Sequence, residues 1–238
     1  MRLDKFLSNH GIGSRKVVKA LLKKKVITVN EEVITKSDVK INPKKDMVKV
    51  QGETIHFEPF IYLMLNKPAG VVSSTHDKDK TVIDLITGLD HYDLHPVGRL
   101  DKDTEGLLII TNDGQFSHDV LSPKKHVNKT YYAKIDGIVT EQTVEQFAQG
   151  ITLDDGYHTM PGDLTCLSVD PEKDTSEIEL VIQEGKFHQV KRMFEAISMK
   201  VTYLKRIKMG DLSLDNRLKP GEYKKLMQNE LNLVRKWF

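Results

Sequence analysis

Apolar positions over the first fifty residues follow two periods in succession. Leu3, Phe6 and Leu7 recur at helical spacing, and after a turn at Gly11–Gly13 the stretch RKVVKALLKKK repeats the pattern with Val17, Val18, Leu21 and Leu22. Ser14 stands where an N-cap belongs, so a second helix is predicted to begin at Arg15. VITVN then reads as a short strand, a turn follows at Asn30–Glu32, and Val33 and Ile34 mark a second strand. Polar residues and a proline over Gln51–Pro59 separate this region from the next.

From Phe60 onward short strand patterns dominate. IYLMLNKP is a strand candidate, Gly70 permits a turn, and VVSST is expected to resume extended structure. LLIIT is a continuously apolar run, best read as a buried strand, and TYYAKIDG, EIELVI and KVTYLKRI are further candidates. Thr143–Gln149 and Gln189–Ser198 read as helices, and Asn112–Gly114 as a hairpin turn. Strands outnumber helices and do not alternate with them regularly. The pattern therefore predicts an α+β fold: a small α/β module over residues 1–58, and a larger domain over 59–238 on a mixed, largely antiparallel sheet. No internal repeat, GxGxxG fingerprint or phosphate-cradling P-loop is present in the sequence.

Charge adds a partner to this picture. The net charge of +2 conceals an asymmetry: residues 1–59 carry 13 Lys and Arg against 7 Asp and Glu, the remainder 23 against 27. The first 25 residues alone hold eight basic groups and one acid, which suggests a polyanionic partner. Cys166 is the only cysteine, so neither an internal disulfide nor a thiolate metal site can form within this chain. No apolar run approaches the roughly 18 residues needed to span a bilayer, and MRLDKFLSNH lacks a signal-peptide apolar region. A cytoplasmic monomer without membrane contact is expected.

Candidate chemistry concentrates in GRLDKDTEGLLIITNDG, where Asp101, Asp103 and Glu105 alternate before Gly106. The spacing imitates the start of a calcium loop, but the twelfth position is Asn112 instead of a bidentate Glu, and LLIIT begins where the loop should still be coiling. A metal site is not expected. Asp101 and Glu105 could serve a retaining glycosidase, yet aromatic residues make up only 7% and the one Trp237 lies near the end.

Two resemblances take the reading further. The opening RLDKFL, the SRK at the second helix and the strand VITVN resemble the RNA-binding domain first seen in ribosomal protein S-four. The likeness implies a module that grips structured RNA through its phosphates, with Arg15, Lys16 and Lys19 as contacts. GRLD with its apolar strand and TNDG resembles the active-site loop of pseudouridine synthases, and LNKPAG, KTYYAKIDG and EGKFHQVKRMF resemble that superfamily's other motifs in order. HQVKRMF together with the amino-terminal module is similar to the RsuA branch. MRLDKF, LSPKKHVNKTY and LKPGEYKKL look most like the branch member that modifies uridine 516 of 16S rRNA.

This resemblance implies that Asp101 is the catalytic carboxylate, attacking either the uracil ring or the anomeric carbon, with no cofactor. Tyr131 matches the family tyrosine that packs on the uracil and takes part in proton removal, while Tyr132 on the opposite strand face is expected in the sheet or core. Lys191 matches the basic partner of the Asp, and a helix burying Val190, Met193, Phe194 and Ile197 would place it beside that stripe. Arg99 matches an arginine that fills the gap left by a flipped base. Arg192 is expected to face RNA or solvent, His188 to be structural, and Asp103 and Glu105 to shape the loop, pair with Arg99 or sit in water. A synthase acting on 23S rRNA and a noncatalytic rRNA-binding assembly factor are the alternatives.

Overall fold

The computed structural model describes residues 1–56, 58–90 and 92–238; Phe57, inside the expected boundary Gln51–Pro59, and His91 lie outside the described residues. The chain packs as two compact units, Met1–Ile61 with Ile86–Leu94, and Tyr62–Leu85 with His95–Phe238.

In the first unit, helices α1 (Leu3–Asn9) and α2 (Arg15–Lys23) precede strands β1 (Ile27–Val29), β2 (Glu32–Val33), β3 (Val48–Val50) and β4 (Glu53–Ile55). The Ser14 hydroxyl accepts a hydrogen bond from the Val17 N–H at 3.5 Å, the N-cap that the sequence predicts. Only Val18 and Leu22 of α2 are buried, whereas Val17 is 46% exposed. The buried stripe is thus narrower than the apolar pattern, because a single i, i+4 row meets Leu3, Phe6, Leu7, Ile27 and Val48. Asn30 and Glu31 both take positive φ, 50° and 68°, as a two-residue hairpin turn requires, and the sheet runs β2-β1-β3-β4.

The second unit contains β5 (Tyr62–Lys67), β6 (His95–Pro96), β7 (Glu105–Thr111), α3 (Gly114–Leu121), β8 (Lys129–Asp136), α4 (Glu141–Gln149), β9 (Asp163–Asp170) and β10 (Thr175–Ile182). It continues with α5 (Gln189–Glu195), β11 (Lys200–Met209), β12 (Leu212–Ser213), β13 (Tyr223–Lys225) and α6 (Gln228–Arg235). The main sheet order is β13-β5-β7-β11-β8-β10-β9, with β6 on β7 and β12 on β11. Only the β7–β11 pairing is parallel among the described strands, so the sheet is mixed and largely antiparallel. Every residue of β5 is buried, as are Gly106–Thr111 of β7, which places these strands in the middle of the core. Gly106 has φ 104°, and a Cβ there would meet the Arg206 carbonyl at 2.2 Å. Only glycine admits this close approach of β7 to β11.

Three local expectations change. VVSST forms no strand beyond an isolated bridge from Val72 to Thr81. Asp113 does not close a hairpin; its carboxylate accepts from the Phe116 N–H at 3.1 Å and caps α3, and it also accepts from the Tyr62 hydroxyl at 2.6 Å. Asp-Gly after a strand serves either turn or cap, and the tertiary bond to Tyr62 accompanies the cap. Helix α5 ends at Glu195 instead of Ser198, leaving Ile197 only partly buried. Among the described residues no helix is long and apolar enough to cross a membrane.

Candidate active site

The loop before β7 is held by a buried cation from β5. Lys67 ends an otherwise apolar and amide strand, and its ammonium, fully buried, donates to the carbonyls of Thr104 at 2.8 Å, Asp101 and Pro68 at 3.0 Å, and Lys102 at 3.3 Å. Three donors shared over four carbonyls fix the backbone of the loop from Asp101 to Thr104 against Pro68. The Ser73 hydroxyl adds a reciprocal pair with Leu100, donating to its carbonyl at 2.8 Å and accepting from its N–H at 3.0 Å. Burial pushes the Lys67 ammonium down to about 8, with the carboxylates of Asp103, Asp101 and Glu105 opposing that shift.

Helix α5 brings the second charge. Val190, Met193 and Phe194 are buried, which fixes the helix rotation and sends Lys191 to the loop. Its Nζ lies 3.2 Å from Asp101 Oδ2 and 2.6 Å from Asp103 Oδ1. Burial alone would lower the Lys191 ammonium, but hydrogen bonds to Asp103 and Asp101 outweigh it and hold the group above its ordinary value. The same hydrogen bond holds Asp103 below the usual carboxylate range. His188 caps α5 in a left-handed conformation, φ 48°, and puts Nε2 at 3.5 Å from Asp101 Oδ1.

Tyr131, on β8, is 8% exposed and lines a pocket together with Arg99, Asp101, Thr104, His188 and Leu204. Leu204 and Ile182 lie among its apolar walls, while Asp101, 26% exposed at its side chain, stays in reach of solvent. The Thr104 hydroxyl is buried and has no partner among the described residues. Tyr132 turns to the opposite face, its ring 6.0 Å from that of Tyr203. The alternation expected from sequence holds.

Several neighbouring assignments need correction. Asp103 does not merely shape the loop, since it shares Lys191 with Asp101. Glu105 diverges from both and accepts from the Tyr203 hydroxyl at 2.7 Å, so the three alternating carboxylates do not converge on one point. His188 stands at the Asp101 carboxylate instead of in a purely structural position. Arg192 carries two ion pairs that the sequence does not announce: its guanidinium binds Asp154 at 2.5 Å and Asp155 at 2.6 Å, on a side chain 16% exposed. Arg99 is exposed and forms no ion pair among the described residues, so the alternative of pairing with Asp103 or Glu105 falls away. Sequence reasoning gave Lys67 and His188 no part in the site. A lysine inside a continuously apolar strand was the available signal for the first.

Volume alone would point elsewhere. A groove of about 380 Å³ beside α4 is lined by Asn128, Val144, Gly162, Asp163 and Gln183, but it brings no acid and base together. In the first unit, Arg15, Lys16 and Lys19 project from the exposed side of α2. Lys19 also borders a cleft of about 450 Å³ with Arg2, Lys23 and Lys36, which concentrates positive charge on that unit.

Comparison with known proteins agrees with this arrangement. The RNA pseudouridylate synthase family matches residues 61–196, and the S4 domain matches residues 1–48. The chain belongs to the RNA pseudouridylate synthase family. It is 44% identical to the RNA pseudouridine synthase YtzG of Bacillus subtilis, covering 98% of each chain. Identity is 40% to ribosomal small subunit pseudouridine synthase A of Yersinia pestis, over 98% of each, and 38% to ribosomal large subunit pseudouridine synthase B of Bacillus subtilis, over 98% of this chain and 95% of that one. A crystal structure of a pseudouridylate synthase superposes with a TM-score of 0.69 at 36% identity, over 98% of this chain and 99% of that one. The protein is therefore an isomerase, and all the residues lining the Asp101 pocket except Leu204 lie within the matched family region.

Proposed function

We propose that this synthase isomerises a uridine of ribosomal RNA, with uridine 516 of 16S rRNA as the target and Asp101 as the attacking carboxylate. One observation carries the reading: Asp101 stands at the rim of a pocket walled by Tyr131 with the Lys191 ammonium at 3.2 Å. An adjacent cation favours the ionised carboxylate, the form able to attack. The reaction breaks the glycosidic bond at nitrogen 1, turns the uracil, joins its carbon 5 to the sugar, removes the proton from that carbon while nitrogen 1 takes one up, and breaks the bond made to Asp101 before the product leaves. Atoms balance without a donor or a redox step.

The target base must leave its stack, at a cost of a few kcal/mol. Tyr131 supplies a planar wall for the extruded uracil and a hydroxyl for the proton-removal step. Arg99, exposed beside the pocket, occupies the gap in the RNA stack. Residues 1–58 act as the RNA grip through Arg15, Lys16 and Lys19, and residues 59–238 as the catalytic domain. Arg192, paired with Asp154 and Asp155, would meet RNA only by exchanging those partners. Asp101, Tyr131 and Lys191 all come from one chain, which supports action as a monomer, and an rRNA substrate implies a cytoplasmic site of action.

The small-subunit target rests on the MRLDKF, LSPKKHVNKTY and LKPGEYKKL segments. Identities of 40% and 38% to the small- and large-subunit enzymes do not separate the two substrates. Mapping pseudouridines in both rRNAs from cells with and without the gene tests the assignment. Loss of the 16S site alone is expected. Loss of a 23S site would move the substrate to the large subunit, and an unchanged map would favour a noncatalytic assembly role.

A further inference from the structure

Phe187 is 76% exposed, and the residues on either side of it, Lys186 and His188, line the Asp101 pocket. A single exposed apolar side chain is ordinary on a protein surface. What distinguishes this one is rigid presentation. Its ring stacks on His188 with centroids 3.7 Å apart and planes 20° apart, and His188 in turn approaches Asp101 at 3.5 Å. One imidazole thus separates the phenyl ring from the carboxylate.

The backbone beneath the ring is braced on both sides. The Lys186 N–H donates to Gln189 Oε1 at 2.8 Å, and Gln189 Nε2 donates to the buried Glu184 at 2.8 Å. Glu184 is itself held by the Tyr157 hydroxyl at 2.6 Å and the Met160 N–H at 2.8 Å. From the other side Arg192 donates to the Phe187 carbonyl at 3.4 Å while Asp154 and Asp155 hold its guanidinium. Lys186, the residue before it, lies over the Tyr157 ring at 4.5 Å and brings a positive charge to the same segment. A preorganised flat apolar face beside a cation matches an unpaired nucleotide, whose base stacks while its phosphate meets the ammonium.

We propose that Phe187, backed by His188, is the stacking platform for an unpaired base adjoining the target uridine. The proposal rests on the Asp101 pocket as the site of isomerisation, and it adds a means by which the synthase selects a locally melted RNA segment. A flanking base taken from its neighbours would regain a stack on the protein, which offsets part of the cost of extrusion.

The test uses the full chain and an RNA fragment bearing the uridine identified by rRNA mapping. Phe187→Ala should raise KM about tenfold, the scale of one lost base–aromatic contact, with kcat within about twofold. Phe187→Trp should restore KM, whereas Phe187→Leu, apolar but not flat, should not. An abasic nucleotide on one side of the target should raise the wild-type KM by a similar factor and cost Phe187→Ala nothing more. Wild-type KM in the Ala or Leu variant, an effect confined to kcat, or an abasic penalty equal in both proteins would overturn the proposal. Asp101→Asn separates the two ideas: if that variant remains active, the pocket reading fails, and if it is inactive while Phe187→Ala behaves as wild type, only the platform fails.

Discussion

Lys191, on the first turn of α5, places its ammonium 3.2 Å from the carboxylate of Asp101, which precedes β7. A second carboxylate, Asp103, binds the same ammonium at 2.6 Å, so the cation is held from both sides. This shared arrangement makes the pH response of the enzyme a direct readout of the site. Removing the cation by Lys191→Met should lower kcat/KM by about a hundredfold, a typical cost for one lost electrostatic group. Lys191→Arg, which keeps the positive charge, should retain most of the activity. A kcat/KM near wild type in the Met variant would separate Lys191 from the chemistry at Asp101.

Asp103→Asn should act on the alkaline limb of the pH profile. The Asp103 carboxylate helps hold Lys191 above its ordinary value, so its removal lets the ammonium deprotonate earlier and moves the alkaline limb to lower pH. Its side chain is 73% exposed, and thermal stability should change little. A kcat/KM profile recorded into the alkaline range checks this shift.

Lys67→Met should loosen the loop that carries Asp101. The substitution nearly preserves volume but leaves up to four carbonyls without their buried donor, and each such loss costs about 1–3 kcal/mol. A lower thermal midpoint and a lower kcat are expected together. Because Lys67 sits near 8 in the folded protein against 10.5 for a free lysine, the unfolded chain binds more protons between those values. The cost of the buried charge is therefore full below about pH 8 and is relieved as pH rises toward 10.5. Thermal melts over that range should show this rise in the wild type and a smaller one in Lys67→Met, where Lys129, also pushed down to about 8 by burial, still contributes.

Much of the scaffold was legible because burial imposes periodicity. Val18 and Leu22 gave α2, and the unbroken apolar runs gave β5 and β7. Asp101, Tyr131 and Lys191 were found through motif order, and their proximity required the fold. The neighbours that modify the site were not legible for tertiary reasons. Lys67 needs acceptors from a loop distant in sequence, His188 reaches Asp101 through a left-handed cap, and Arg192 is diverted by aspartates from another loop. Asp113 shows the local limit, since the same Asp-Gly serves as turn or helix cap and its tertiary hydrogen bond to Tyr62 is not written in the local pattern.

Charge reversal on α2 should affect binding instead of chemistry. Lys16→Glu with Lys19→Glu removes two exposed cations from the first unit, so RNA affinity should fall and kcat at saturating RNA should hold. Each lost phosphate contact flattens the log–log salt dependence by roughly 0.7–0.9. Affinity measured over a salt series checks this, and an unchanged slope would count against α2 as the RNA grip.

The most direct measurement is pseudouridine formation by Asp101→Asn on the mapped RNA, followed as release of the proton from uracil carbon 5, with RNA affinity measured on the same preparation. The amide keeps the size of the side chain and removes the charge proposed to attack. Product formation should be abolished while affinity stays near wild type. Substantial isomerisation by this variant would contradict the account.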